Sequence, residues 1–298
     1  EIWPDATSDQ VGYMYYNATK LDDYRCIPTL WGGGGEDCSV TSAEFTLTTT
    51  PDTNNFSFSI SAAGEFVVDW GDGTVETITK TNTTDTTYTH NYATADEYTI
   101  GLSGQATAYN TSTSTAAISF YVYSSQTKIA SIDGSLGAIF GTLPDATEKQ
   151  PRFYQTFYNA TNMTGSIPAN LFAGISGAPA SAMFFNTFYG CESLTYIPAN
   201  LFAGVSGIIS EGMFYGTFAG CTSLRTIPEE LFASLDGGDD MYLGGYAFMQ
   251  TFAGSGIESI PENLFGNITS SLPFGIFMQT FAYCPNLTGP SARINGVY

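Results

Sequence analysis

The chain has 298 residues, 43% of them apolar, so a substantial core is expected from one large domain or two ordinary ones. Charged residues make up only 12%, about half the usual share, and 28 acidic against 8 basic side chains leave a formal charge of −20. That balance argues against nucleic acid, whose affinity rests on Lys and Arg at phosphates, and against anionic membrane surfaces, and no apolar run is long enough to span a bilayer.

The opening residues "EIWPDATSD" have neither a basic start nor an apolar stretch. The chain therefore reads as a mature protein whose export signal lies outside this sequence. Solubility must come from Thr, Ser, Asn, Gly and the acids, a composition that points to an extracellular or cell-surface location. Residues 1–42 are aromatic-rich without a strong period. They read as an N-terminal segment that packs on the next module or contacts a partner. Within them "CIPTLWGGGGEDC" places Cys26 and Cys38 around a glycine loop that can close as a disulfide; two free thiols are the alternative.

Residues 43–125 change character. The runs "AEFTLTTT", "FSFSIS", "EFVVDW", "YTIGLSG" and "AISFYVY" alternate apolar and polar residues between Thr, Asn, Gly and Asp clusters. Period-two patterning with turn punctuation predicts an antiparallel β-sandwich. Asp69, Asp72 and Glu76 surround the glycine turn of "DWGDGTVE". Asp72 is expected to cap that turn; a calcium site built from the three carboxylates is the alternative. His90 is the single histidine, so a Ser-His-Asp or Cys-His nucleophile system would have to use it, and a His-rich zinc site is excluded.

The stretch "FVVDWGDGTVETI" and the later "YTHNYATADEYTIGLSG" resemble a PKD-type immunoglobulin-like domain. Trp70-Gly71-Asp72-Gly73, His90-x-Tyr92 and Tyr98-Thr99-Ile100 carry the resemblance, which covers about 80 residues. It implies an extracellular spacer or interaction module, with His90 in a structural hydrogen bond.

Residues 126–298 repeat. "KIASIDGSLGAIF", residues 128–140, reads as a degenerate opening half-repeat. Then Thr156, Thr187, Thr217, Thr251 and Thr280 recur at intervals of 29 to 34 residues. Each has Phe three residues before it (Phe153, Phe184, Phe214, Phe248, Phe277) and directly after it (Phe157, Phe188, Phe218, Phe252, Phe281). Two Phe at i and i+4 predict one face of a helical turn. Met163, Leu194, Leu224, Ile257 and Leu287 follow as short-strand positions. Four units continue with Ile-Pro and then Leu-Phe, read as the first turn of a short helix. A unit of this size cannot bury its own apolar face, so the units are expected to stack as a solenoid.

"TFAGCTSLRTIPEELF" and "TFYGCESLTYIPANLF" resemble the BspA-like leucine-rich repeats of bacterial surface proteins. The resemblance covers roughly residues 128–289. It implies a surface-exposed repeat scaffold, in a family that includes adhesins. The expected fold class is thus mixed but mainly β: an antiparallel sandwich followed by a leucine-rich-repeat-like α/β solenoid of about five units.

Cys191, Cys221 and Cys284 stand four residues after the repeat Thr, where Ala160 and Ser255 stand in the other units. A position filled by Cys, Ala or Ser wants a small side chain in a stacked column, not a metal ligand. Asp236, Asp239 and Asp240 form an acidic loop in the longest unit, read as solvated. Asn-x-Ser/Thr sequons begin at Asn17, Asn55, Asn82, Asn110, Asn159, Asn162, Asn267 and Asn286 and are candidate glycosylation sites.

No pair of carboxylates is singled out for hydrolysis, and the expectation is a non-enzymatic protein without a cofactor, calcium apart. The last unit begins normally with "FMQTFAYCPNLTG" and then reads "PSARINGVY", with no Leu-Phe helix to close the stack. An open end invites a neighbouring copy, hence a homopolymer: a filament or surface coat. A tail that folds back, or a natural chain that runs on, is the alternative for that end. The alternative for function is a monomeric adhesin that binds a protein or glycan through the repeat surface.

Overall fold

A computed structural model of the chain describes residues 43–236, 245–266, 268 and 275–288. Residues 1–42, with the Cys26/Cys38 pair and Asn17, lie outside the described residues, as do Asp239, Asp240 and Asn267. From Ala43 onward the chain forms one unit. It is mainly β, with antiparallel sheets and almost no helix: one four-residue helix (Leu136–Ile139) and a 3₁₀ turn (Ser125–Lys128) among the described residues.

The alternating runs of residues 43–125 become strands. They are β1 (Phe45–Thr49), β2 (Thr53–Ile60), β3 (Ala63–Asp69), β4 (Val75–Lys80), β5 (Thr86–Asp96), β6 (Thr99–Ala108) and β7 (Ile118–Ser119). Along β1, Phe45, Leu47 and Thr49 are buried and Thr46 and Thr48 half-buried, the period-two signature of a strand with one face inward. Two sheets result: β4-β3-β6-β1-β8, with β8 at Ile129–Gly134, and β5-β2-β7. Phe58 on β2 meets Trp70 at the end of β3, centroids 5.5 Å apart, so the two sheets share one apolar core.

The segment read as an opening half-repeat has two partners. Its residues 129–134 are β8, which pairs antiparallel with β1, Leu47 opposite Ile132. Beyond β8, Ser135 caps the short helix by accepting the Ala138 N–H at 3.0 Å. On its far side the Thr164 N–H donates to the Ala130 carbonyl. The strand therefore belongs to the sheet and to the first repeat at once, across the division drawn at residue 125.

The F-x-x-T-F segments are not helical. Take five equivalent octads, 153–160, 184–191, 214–221, 248–255 and 277–284, as segments I to V. In segment II, Asn186 and Gly190, the third and seventh residues, have φ of 51° and 69°; the same positions have positive φ in all five. A left-handed residue every fourth position forbids an α-helix and makes a run of turns. In segments II to IV the N–H groups of the even positions bond three residues back, as Thr187 does to the Phe184 carbonyl. Those of the odd positions leave the segment. Phe184, Asn186, Phe188 and Gly190 donate to the carbonyls of Met213, Tyr215, Thr217 and Ala219 in the next unit. Segments I to IV all do this, at 2.7–3.0 Å. The period is four, two residues in and two out, and an i, i+4 Phe pair fits it as well as it fits a helix. The Ile-Pro stretches behave alike: Leu171, Leu201, Leu231 and Leu264 donate back three residues to Pro168, Pro198, Pro228 and Pro261, giving turns where short helices were predicted.

Inward residues line up in columns. Phe157, Phe188, Phe218, Phe252 and Phe281 stack with centroids 5.4–5.5 Å apart and planes within 2–11°. The buried Thr of each segment spends its hydroxyl on the preceding unit: Thr187 on the Phe153 carbonyl, Thr217 on Phe184, Thr251 on Phe214 and Thr280 on Phe248, at 2.7–2.9 Å. A hydroxyl buried in an aromatic core needs such a partner, which is why Thr recurs between two Phe.

The segments continue the sheets. Ala117 and Phe120, flanking β7, donate to the carbonyls of Arg152 and Thr156, so segment I lies against the edge of β5-β2-β7. On the other face β8 meets Thr164, and β9 (Gly165–Ser166) pairs in parallel with β10 (Leu194–Tyr196). That side runs on through Glu258 N–H to Arg225 and Thr288 N–H to Glu258.

Candidate functional site

The segments, hydrogen-bonded one to the next and to β7, leave two outer edges among the described residues. At one end, β5 is the outer strand of its sheet. It is 11 residues long and mostly exposed, and it holds one carboxylate, Asp96 at its end, and no Lys, Arg or Pro. Those are the devices that usually blunt an edge strand. At the other end stands segment V. The N–H groups of Phe277, Gln279, Phe281 and Tyr283 occupy the positions that bond forward in segments I to IV, and they have no partner among the described residues. Phe277 and Phe281 are half-buried, where their equivalents Phe248, Phe252, Phe214 and Phe218 are fully buried. Met278 and Tyr283 are 40% and 85% exposed. Residues 275–288 carry no charged side chain in a chain of net charge −20.

The three carboxylates proposed for calcium are spent separately. Asp69 accepts the Gly71 N–H at 2.9 Å, and Glu76 accepts the Trp70 Nε1–H at 3.2 Å. Asp72 accepts the Thr74 N–H at 2.9 Å, the turn cap its position implies, and its second oxygen lies 2.8 Å from His90 Nε2. The His90 hydrogen bond holds the Asp72 carboxyl below the ordinary carboxylate value. His90 is clamped between rings, stacked on Trp70 at 5.0 Å and edge-on to Tyr92 at 4.7 Å. Tyr92 donates to the Trp70 carbonyl at 2.9 Å and stacks on Tyr98. No group of three His, Cys, Asp or Glu side chains is arranged for a metal among the described residues.

The cysteines of the repeats form the expected column. Cys191, Cys221 and Cys284 point their thiols at the carbonyls of Phe157, Phe188 and Phe252, at 3.1–3.2 Å. Burial pushes the Cys191 thiol well up and that of Cys221 to about 12, so neither ionises near neutrality. Asp236 ends a two-residue strand, Leu235–Asp236, whose partner is Gly207–Ile208.

Among the described sequons, four asparagines commit their amide nitrogens. Asn55 donates to Asn54, Asn110 to the Thr83 carbonyl, Asn162 to Thr127 and Asn286 to Gly256. Asn159 stands half-buried, its amide oxygen against Gly190. Asn82 is exposed, accepts the Thr84 N–H through its oxygen and leaves its nitrogen clear. No helix among the described residues is long and apolar enough to cross a membrane.

Comparison of the chain with protein-family models, with curated proteins and with solved structures finds no match. The row of donors in segment V was not legible in the sequence. Those donors are backbone groups, and the signal that locates them is the every-fourth-residue turn, which Gly190, Gly216, Gly220 and Gly254 mark only in part.

Proposed function

We propose that this chain is a non-enzymatic, extracellular or cell-surface structural subunit that polymerises end to end. In this reading a PKD-like β-sandwich leads into a BspA-like solenoid whose units are stacked turn segments. The observation that carries it is segment V: four alternate N–H donors and two half-buried Phe rings on an uncharged stretch, with every preceding segment covered by a successor. The occupant is a second copy of this chain, which brings the bare outer edge of β5. Residues 275–288 carry no charge and β5 only Asp96 at its end, so little at either edge keeps two such acidic molecules apart. A head-to-tail contact of this kind need not close and propagates as a filament. The exposed sequon at Asn82 and the acid-rich, Thr-rich surface support an extracellular setting.

Sedimentation velocity and negative-stain microscopy of the purified chain test the reading. Concentration-dependent oligomers or filaments are expected. The double variant Met278→Lys/Tyr283→Lys should be monomeric with an unchanged melting temperature, because both side chains are exposed, and Ala93→Lys on β5 should act in the same way. Deleting residues 1–20 locates the joint: assembly that survives it excludes the N-terminal segment as the joining element. A wild-type chain that stays monomeric at every concentration contradicts polymerisation and favours the adhesin reading.

A further inference from the structure

A cleft of about 430 Å³ lies where β2 and the start of β5 meet the chain around β7 and segment I. Its volume lies within the ~300–1,000 Å³ of small-ligand sites. Ser59, Asp85, Thr87, Tyr121, Tyr154 and Gln155 line it, together with further Ser, Thr and Tyr residues.

Two features mark it as built to bind. The first is a ring with one face left over. Tyr154, Phe185 and Tyr215 form a column of rings on the outside of segments I to III, at 4.9 and 4.5 Å. Tyr154 ends that column at the cleft, and no ring among the described residues covers its other side. Tyr121, 46% exposed, tilts onto Tyr158 beside it, and Tyr123, 79% exposed, stands at the rim with φ of 48°. The second is a set of unused polar groups. The side chains of Ser59, Asp85, Thr87 and Gln155 make no hydrogen bond among the described residues.

The lining also says what the ligand is not. No Lys, Arg or His borders the cleft and Asp85 does, so a phosphate, sulfate or carboxylate would meet repulsion without a counter-charge. Ala116 and Val122 are its only aliphatic side chains, too few for an acyl chain. Hydroxyls, one amide and one carboxylate supply the mixed donors and acceptors that vicinal hydroxyl groups match, and an open tyrosine face takes the C–H side of a sugar ring. We infer that this cleft binds a neutral oligosaccharide, with Tyr154 as the stacking platform and Asp85 and Gln155 as hydroxyl partners.

Isothermal titration of the full chain with cello-, xylo-, manno-, malto-, laminari- and N-acetylchitohexaose tests this. At least one should bind, with Kd on the order of 10 μM to 1 mM. Tyr154→Ala and Asp85→Ala should each weaken it by about tenfold or more. Thr87→Trp, which fills the cleft without removing packing, should abolish binding while leaving the melting temperature unchanged. Tyr196→Ala, at an exposed ring in the next unit, should bind as the wild type does. The inference is overturned if none of the six is bound, or if Tyr154→Ala and Thr87→Trp both retain full affinity.

Discussion

Segments III and V share one motif, F-x-x-T-F, and one backbone path, yet their surroundings differ. In segment III, Phe218 lies between Phe188 and Phe252 and is fully buried. In segment V, Phe281 has Phe252 on one side and no equivalent ring on the other among the described residues. The local conformation is thus set within the octad by its left-handed residues, whereas burial is set between octads. Stability in such an array is close to a sum of nearest-neighbour terms, and a segment with one neighbour holds roughly half of them.

The largest effect should come from the middle of the stack. Phe218→Ala should destabilise by about 3–5 kcal/mol in urea unfolding. Phe281→Ala should cost only about 1–2 kcal/mol, because part of that ring is already in water. Equal losses at the two sites would break the comparison. Gly216→Ala comes next. It puts a Cβ at φ 58° and within 2.1 Å of the Asn186 amide oxygen, for about 1–2 kcal/mol.

Thiol chemistry sharpens the same contrast without a mutation. Iodoacetamide at pH 8 should label Cys284, which is partly exposed, and leave Cys191 and Cys221 unmodified until the protein unfolds, as read by intact mass. Labelling of Cys221 in the folded chain would mean that segment III opens as readily as segment V. The smallest effect lies at the opposite end of the sheet. The folded-state value of Asp72 is depressed, so its contribution is present above the ordinary carboxylate pKa and is lost as pH falls through the lower, folded value. Asp72→Asn should remove that part of the acid limb, at most about 1 kcal/mol for so exposed a pair. An acid limb identical in the variant would refute it, and added EDTA should leave the wild-type melting temperature where it is.

Much of this was legible in the residues. Alternation in "FSFSIS" and "EFVVDW" marked β2 and β3, and the recurrence of Thr-Phe fixed the register in which Phe188, Phe218 and Phe252 stack. The Cys/Ala/Ser position declared a small-residue column. The conformation of the octad was not legible. Gln155, Asn159, Gln250 and Tyr283 hold left-handed φ without being glycine, so a period of four passed for a helix. Nor was the role of "KIASIDG" as a sheet strand, because its pairing with β1 spans more than eighty residues and leaves no local signature. The cleft escaped for the same reason: Ser59, Asp85, Tyr121 and Tyr154 come from four separate stretches.

The amides of segment V decide whether the sheet continues into another molecule. Hydrogen–deuterium exchange should be followed at Phe277, Gln279, Phe281 and Tyr283 in dilute and concentrated protein, with Phe218 and Gly220, which donate to segment IV, as internal reference. The expected result is fast exchange of the four in dilute solution and protection on concentration, while the reference amides stay protected throughout. Exchange of the four that is the same at both concentrations, fast or slow, would contradict the proposed edge.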